Sequence, residues 1–108
     1  MDQQGAFSAI VEDLGDRAVV RLVGEVDLAA EEQWWIALND ARALSRTVEV
    51  DLSHVTFIDS SGLCFLLEAR QKAEAASETL TIVSASVAVK RLVELSGLSD
   101  LLMVPDST

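Results

Sequence analysis

A chain of 108 residues, half of them apolar, is long enough for one domain with a real core, and its formal net charge is −10. That charge argues against nucleic acid as a partner, because a protein that grips phosphates must supply Lys and Arg; it suits solubility, or a basic partner surface approached under long-range attraction. No apolar run nears the roughly 20 residues that span a bilayer, so no direct membrane insertion is expected. The polar, acidic opening Met1-Asp2-Gln3-Gln4 is the wrong chemistry for an export signal, and the lone cysteine, Cys64, suits a reducing cytoplasm.

The chain opens on a strand over 7–12, Phe7-Ser8-Ala9-Ile10-Val11-Glu12. Asp13-Leu14-Gly15-Asp16 supplies turn residues and a β-rich run over 17–23 resumes, so the two read as an antiparallel hairpin. Gly24-Glu25-Val26-Asp27 ends it. Asp27 can cap a helix over 28–44, with Glu31 and Glu32 in or near its first turn, where the dipole favours negative charge. Trp34, Ala37, Leu38 and Ala41 recur at helical spacing and face the sheet, whereas Trp35 and Ile36 fall partly off that stripe, leaving at least one of them exposed.

Residues 47–52 alternate, with Val48, Val50 and Leu52 on one face and Thr47, Glu49 and Asp51 on the other, which is a strand. A polar-then-apolar link then leads to Asp59-Ser60-Ser61-Gly62, the abrupt start of a helix over 61–76, where Glu68 and Lys72 have the favourable i, i+4 spacing. Its first turns, Leu63, Cys64, Phe65, Leu66 and Leu67, are apolar all round; such a helix is buried on every side or offers part of its surface to a partner. A strand over 79–83 follows. Ser84 or Ser86 can cap a helix over 87–96 with Val89, Leu92, Val93 and Leu95 available to the core, and Gly97-Leu98 has the form of a Schellman stop. A short last strand over 101–104 is expected, giving a single domain over 5–104 with tails at 1–4 and 105–108.

The order is β-β-α-β-α-β-α with a last β. Strand–helix–strand units need right-handed crossovers and parallel neighbours, while the opening hairpin is antiparallel. The fold class is therefore α/β: a mixed sheet of four to five strands with three to four helices packed mainly on one side.

Two hydroxyls beside a carboxylate at a helix start make a place where phosphate could be added, held or sensed. They also make an ordinary cap, with Asp59 or Ser60 contributing about 1 kcal/mol. An enzyme acting through Ser60 or Ser61 needs a base. His54, the one histidine, sits only a few residues upstream, and no Gly-x-Ser-x-Gly elbow is present. Neither a Walker loop nor Gly-x-Gly-x-x-Gly occurs, so a nucleotide has no cradle. Asp51 with Asp59, or Glu25 with Asp27, could take a metal, but isolated surface carboxylates explain these pairs more cheaply, and one His and one Cys leave zinc almost without ligands. No enzymatic activity, cofactor or metal is expected.

Three segments resemble the signature blocks of the STAS family, named for sulphate transporters and bacterial anti-sigma factor antagonists. They are Gly24-Glu25-Val26-Asp27; Val50-Asp51-Leu52-Ser53 with Phe57-Ile58-Asp59-Ser60-Ser61-Gly62-Leu63; and Arg91-Leu92-Val93-Glu94-Leu95-Ser96-Gly97-Leu98. They keep the family's order and spacing over about 7–104. A free-standing domain of this length is similar to the antagonists rather than to transporter tails. The resemblance implies that Ser60 is phosphorylated by a partner anti-sigma factor with serine kinase activity, Ser61 being the secondary hydroxyl, and that a serine phosphatase resets it. It places Asp27 near the phosphorylation site and the partner surface. Partner contact is expected at Asp27, Asp59, Ser60, Ser61, Gly62, Leu63 and Phe65, on a monomer or weak dimer. Many members carry glycine where this chain has Cys64, which alters the contact surface. The alternative the family offers is an adaptor subunit of a membrane ABC lipid transporter.

Overall fold

The structure, a computed structural model, describes residues 6–102. Strands β1 (Ser8–Asp13) and β2 (Ala18–Val26) form the expected antiparallel hairpin. The Asp13 carboxylate accepts from the Gly15 N–H at 2.9 Å to shape the turn. A 3₁₀ turn, Leu28–Ala30, precedes α1 (Glu31–Leu44); then come β3 (Thr47–Ile58), α2 (Ser60–Ala75), β4 (Thr79–Ala85), α3 (Val87–Ser96) and α4 (Ser99–Leu102). The four-stranded sheet has the order β1-β2-β3-β4, with β2, β3 and β4 mutually parallel.

The pleat sorts the side chains. Ala18, Val20 and Leu22 of β2, Val48, Val50 and Leu52 of β3, and Leu80 and Ile82 of β4 are buried under the helices. α1 packs over β1 and β2, and α2 over β4 and β3. Trp34, Ala37, Leu38 and Ala41 supply the inward stripe of α1, while Ile36 is exposed and Trp35 half-buried beneath the Lys72 ammonium, 5.7 Å from the ring centroid. The opposite face of the sheet carries ion pairs: Arg17 to Glu49 at 3.1 Å, and Arg21 to Asp51 at 3.0 Å and to Glu12 at 3.5 Å.

Three expectations are corrected. The strand expected to stop at Leu52 continues through the supposed link to Ile58, because 54–58 pair with the last residues of β2. The register slips between Arg21/Val23 and Gly24/Glu25. Gly24 makes this possible: it sits at φ +100°, and a Cβ there would collide with the Ala6 carbonyl oxygen. The last strand expected over 101–104 is instead the helical turn α4, with Leu102 buried in the core; 103 and 104 lie outside the described residues. Leu95, assigned to the core, is 79% exposed, since α3 buries Val89 and Val93 and turns Leu95 outward. The stop after α3 is as read: Gly97 is left-handed at φ 73°, and the Leu98 N–H donates to the Val93 carbonyl at 3.1 Å.

Candidate functional site

The carboxyl ends of the parallel strands lie along one edge of the sheet, and each is followed by a capped helical turn. After β2, the Asp27 carboxylate accepts from the Ala29 N–H at 3.0 Å; after β3, that of Asp59 accepts from the Gly62 N–H at 3.2 Å; after β4, the Ser86 hydroxyl accepts from the Val89 N–H at 3.3 Å. The carboxyl ends of the strands are the side on which open α/β sheets bind ligands. Val26 and Ile58 are in register, and the Asp59 N–H donates to the Val26 carbonyl at 3.4 Å, so Asp27 and Asp59 follow neighbouring strand ends. Asp27 caps the 3₁₀ turn rather than the α-helix itself.

Asp59, in extended conformation, is the cap of α2, which leaves Ser60 as the first helical residue. Ser60 is exposed and its hydroxyl has no hydrogen bond among the described residues. Ser61 is half-buried. Gly62 is buried against β2: a Cβ there would lie 2.7 Å from both the Val26 carbonyl oxygen and Ile58 Cγ1. Only glycine lets the helix start this close to the strand end, and that closeness holds Ser60 at the sheet edge.

Leu63 and Phe65 do not form the docking face expected of them. Both are only 4% exposed, and with Leu66 they fill the core under α2. The apolar first turns are buried on nearly every side, and the side left to solvent carries Ser60, Cys64 and Glu68, with Leu67 half-buried. Cys64 is one turn beyond Ser60 on that outer face.

The remaining candidates are not brought to Ser60. Asp51 is at the far part of β3, about 25 Å of extended strand from Asp59, and its carboxylate is engaged by Arg21 and by the Ser53 hydroxyl at 2.7 Å. Burial pushes the Asp51 carboxyl up, but hydrogen bonds from the Ser53 hydroxyl and N–H, together with the Arg21 guanidinium, outweigh it and hold the group below its ordinary value. His54 meets the Ser53 hydroxyl at 3.1 Å, on the strand upstream of Ser60. No group of three or more His, Cys, Asp or Glu is gathered as a metal site among the described residues, and no described helix is long and apolar enough to cross a membrane.

One feature beside the site escaped the sequence reading. β4 ends at Ala85 opposite Leu52, so among the described residues 53–58 have a strand neighbour only on the β2 side. Between this free stretch and α3 runs a groove of about 270 Å³ lined by Phe57, Ala88, Arg91, Leu92 and Leu95. Phe57 belongs to the strand and not to the expected link, and the apolar, β-prone run Val55-Thr56-Phe57-Ile58 is the sequence signal that the strand continues.

Comparison with known proteins agrees with this geometry. The sequence model of the family described as "Mlab, STAS domain" matches residues 10–105. A STAS-domain containing protein of Pseudomonas aeruginosa (strain UCBPP-PA14) is 24% identical over 99 residues, covering 92% of this chain and 98% of that protein. An anti-sigma factor antagonist from Mycobacterium paratuberculosis superposes with a TM-score of 0.83 over 99% of this chain and 92% of its own, at 23% identity, which speaks for the fold. The anti-sigma factor antagonist SpoIIAA in its unphosphorylated form gives 0.74 at 26% identity, over 94% of this chain and 89% of that one. The Bacillus cell fate determinant SpoIIAA in the phosphorylated form gives 0.69 at 25% identity, over 94% and 92%.

Proposed function

The chain belongs to the STAS domain family, and on that premise we propose that it is an anti-sigma factor antagonist switched at Ser60. The unmodified form binds an anti-sigma factor that is also a serine kinase and frees its sigma factor; phospho-Ser60 cannot bind, and a serine phosphatase restores it. The observation that carries this reading is the uncommitted Ser60 hydroxyl: exposed, without a hydrogen bond among the described residues, and relieved of capping by Asp59. Similarity to SpoIIAA, known in phosphorylated and unphosphorylated forms, supports it.

The physics of the switch is local. A phosphate adds about −1.5 to −2 charges. At the first position of α2 it meets the positive end of the helix dipole, worth roughly 0.3–1 kcal/mol, so the fold tolerates it. The complex does not. A partner that desolvates Ser60 would have to bury the phosphate beside Asp59 and near Asp27, and a penalty of ~3 kcal/mol weakens binding more than a hundredfold.

Incubation with each purified anti-sigma kinase of the source organism and ATP is expected to place one phosphate on Ser60, detected by mass spectrometry, and Ser60→Asp is expected to lose that kinase by at least a hundredfold. Equal binding by Ser60→Asp, or no phosphate from any kinase, overturns the reading. The family model's own description names Mlab and no antagonist, which favours as second reading a STAS adaptor bound to the ATPase of a membrane ABC lipid transporter. Co-purification with such an ATPase, together with an unmodified Ser60 in cells, would select it.

A further inference from the structure

With Leu63 and Phe65 buried, the apolar contact that an antagonist needs beside Ser60 must come from elsewhere. We propose that the groove between 56–58 of β3 and α3 is that contact, and that it receives an apolar segment of the anti-sigma kinase carrying a carboxylate opposite Arg91. This deepens the antagonist reading and rests on it.

Three observations converge on the groove. Its apolar walls are open although they belong to regular elements: Phe57 is 46% exposed and Leu95 79%. Leucine and phenylalanine gathered at one exposed groove mark an interaction surface more strongly than the same residues scattered. Second, Arg91 on its rim is uncommitted. Arg17, Arg21, Arg42 and Arg70 pair with carboxylates and Arg46 donates to the Ser77 carbonyl, whereas Arg91 has neither an ion pair nor a hydrogen bond among the described residues. In a chain of net charge −10, a free guanidinium against an apolar groove selects a partner segment that ends on an acid. Third, the groove adjoins the proposed switch along the chain: Phe57 and Ile58 line it, and Asp59 and Ser60 follow directly. A partner seated on Phe57 and Leu95 is thus within three residues of chain of Ser60. Among the described residues no strand pairs with 53–58 on the side away from β2, so that side also offers the segment a strand edge to lie along.

The probe is the purified kinase that phosphorylates the wild type. Leu95→Glu and Arg91→Glu are each expected to weaken its binding at least tenfold while shifting the melting temperature by no more than a few degrees, both positions being exposed. Arg91→Lys, which keeps the charge, should stay within about threefold of wild type. Leu44→Glu, at the far end of α1 and 48% exposed, should bind as wild type does. If Leu95→Glu and Arg91→Glu bind as tightly as wild type while Ser60→Asp does not, the groove is wrong and the antagonist reading stands. If no kinase binds the wild type, the antagonist reading falls and the groove falls with it. If Leu95→Glu turns a dimer into a monomer and leaves kinase binding intact, the occupant is a second copy and the proposal is overturned.

Discussion

At the residue scale, adjacent polar side chains divide the work of starting α2. The Asp59 carboxylate reaches the Gly62 N–H from an extended backbone, as a cap must, while Ser60 already has helical geometry and points to solvent. The sequence left the cap to either residue, since both types cap well. The division predicts unequal costs. Asp59→Ala should lose about 1 kcal/mol of stability in urea unfolding, a fall of roughly 4–8 °C in a domain this size, and Ser60→Ala less than about 0.5 kcal/mol. Equal losses would mean that Ser60 shares the capping, and a residue so used is a poor switch.

At the element scale, β3 governs where everything else sits. Its inner residues Val48, Val50, Leu52, Val55 and Ile58 are buried, and its outer face is tied to β2 by the Arg21–Asp51 pair and to itself by Ser53. The Asp51 carboxyl is held low in the folded state, so its contribution to stability is present above the ordinary carboxylate value of about 3.9 and is lost as pH falls through the lower folded value. Asp51→Asn is therefore expected to flatten the acid limb of stability below about pH 4, measured by denaturant unfolding across pH, and an unchanged limb would show that the Arg21 and Ser53 contacts do not discriminate the charged form. The alternation over 47–52 made the first half of β3 legible. The second half was not, because the register slips beside Gly24 break the period that marks a strand.

For the whole molecule, the charge of −10 acts over distances that single contacts do not. It should steer a basic partner surface, so the association rate with the proposed anti-sigma kinase is expected to fall about tenfold between roughly 0.05 and 0.5 M salt in stopped-flow mixing. A rate indifferent to salt would mean that the acidity serves solubility alone. The groove at Arg91 is a local exception within that field, and its effect should appear in the dissociation rate instead.

What the sequence determined by itself is what local chemistry and periodicity encode. The β-β-α-β-α-β-α order, the inward stripe of Trp34, Leu38 and Ala41, the Schellman stop at Gly97, and the helix start at Asp59-Ser60-Ser61-Gly62 all depend on neighbours a few residues apart. The tertiary structure alone decided which side of each element meets another. Leu63 and Phe65 were legible as apolar but not as core, because the packing of α2 over β3 and β4 depends on residues distant in sequence. Leu95 reads like Val93 until α3 is set against β3, and Phe57 becomes a surface only because β4 stops at Ala85. Burial is a property of the assembled layers, so the helix start that carries Ser60 could be read from the chain, and which apolar side chains stay exposed beside it could not.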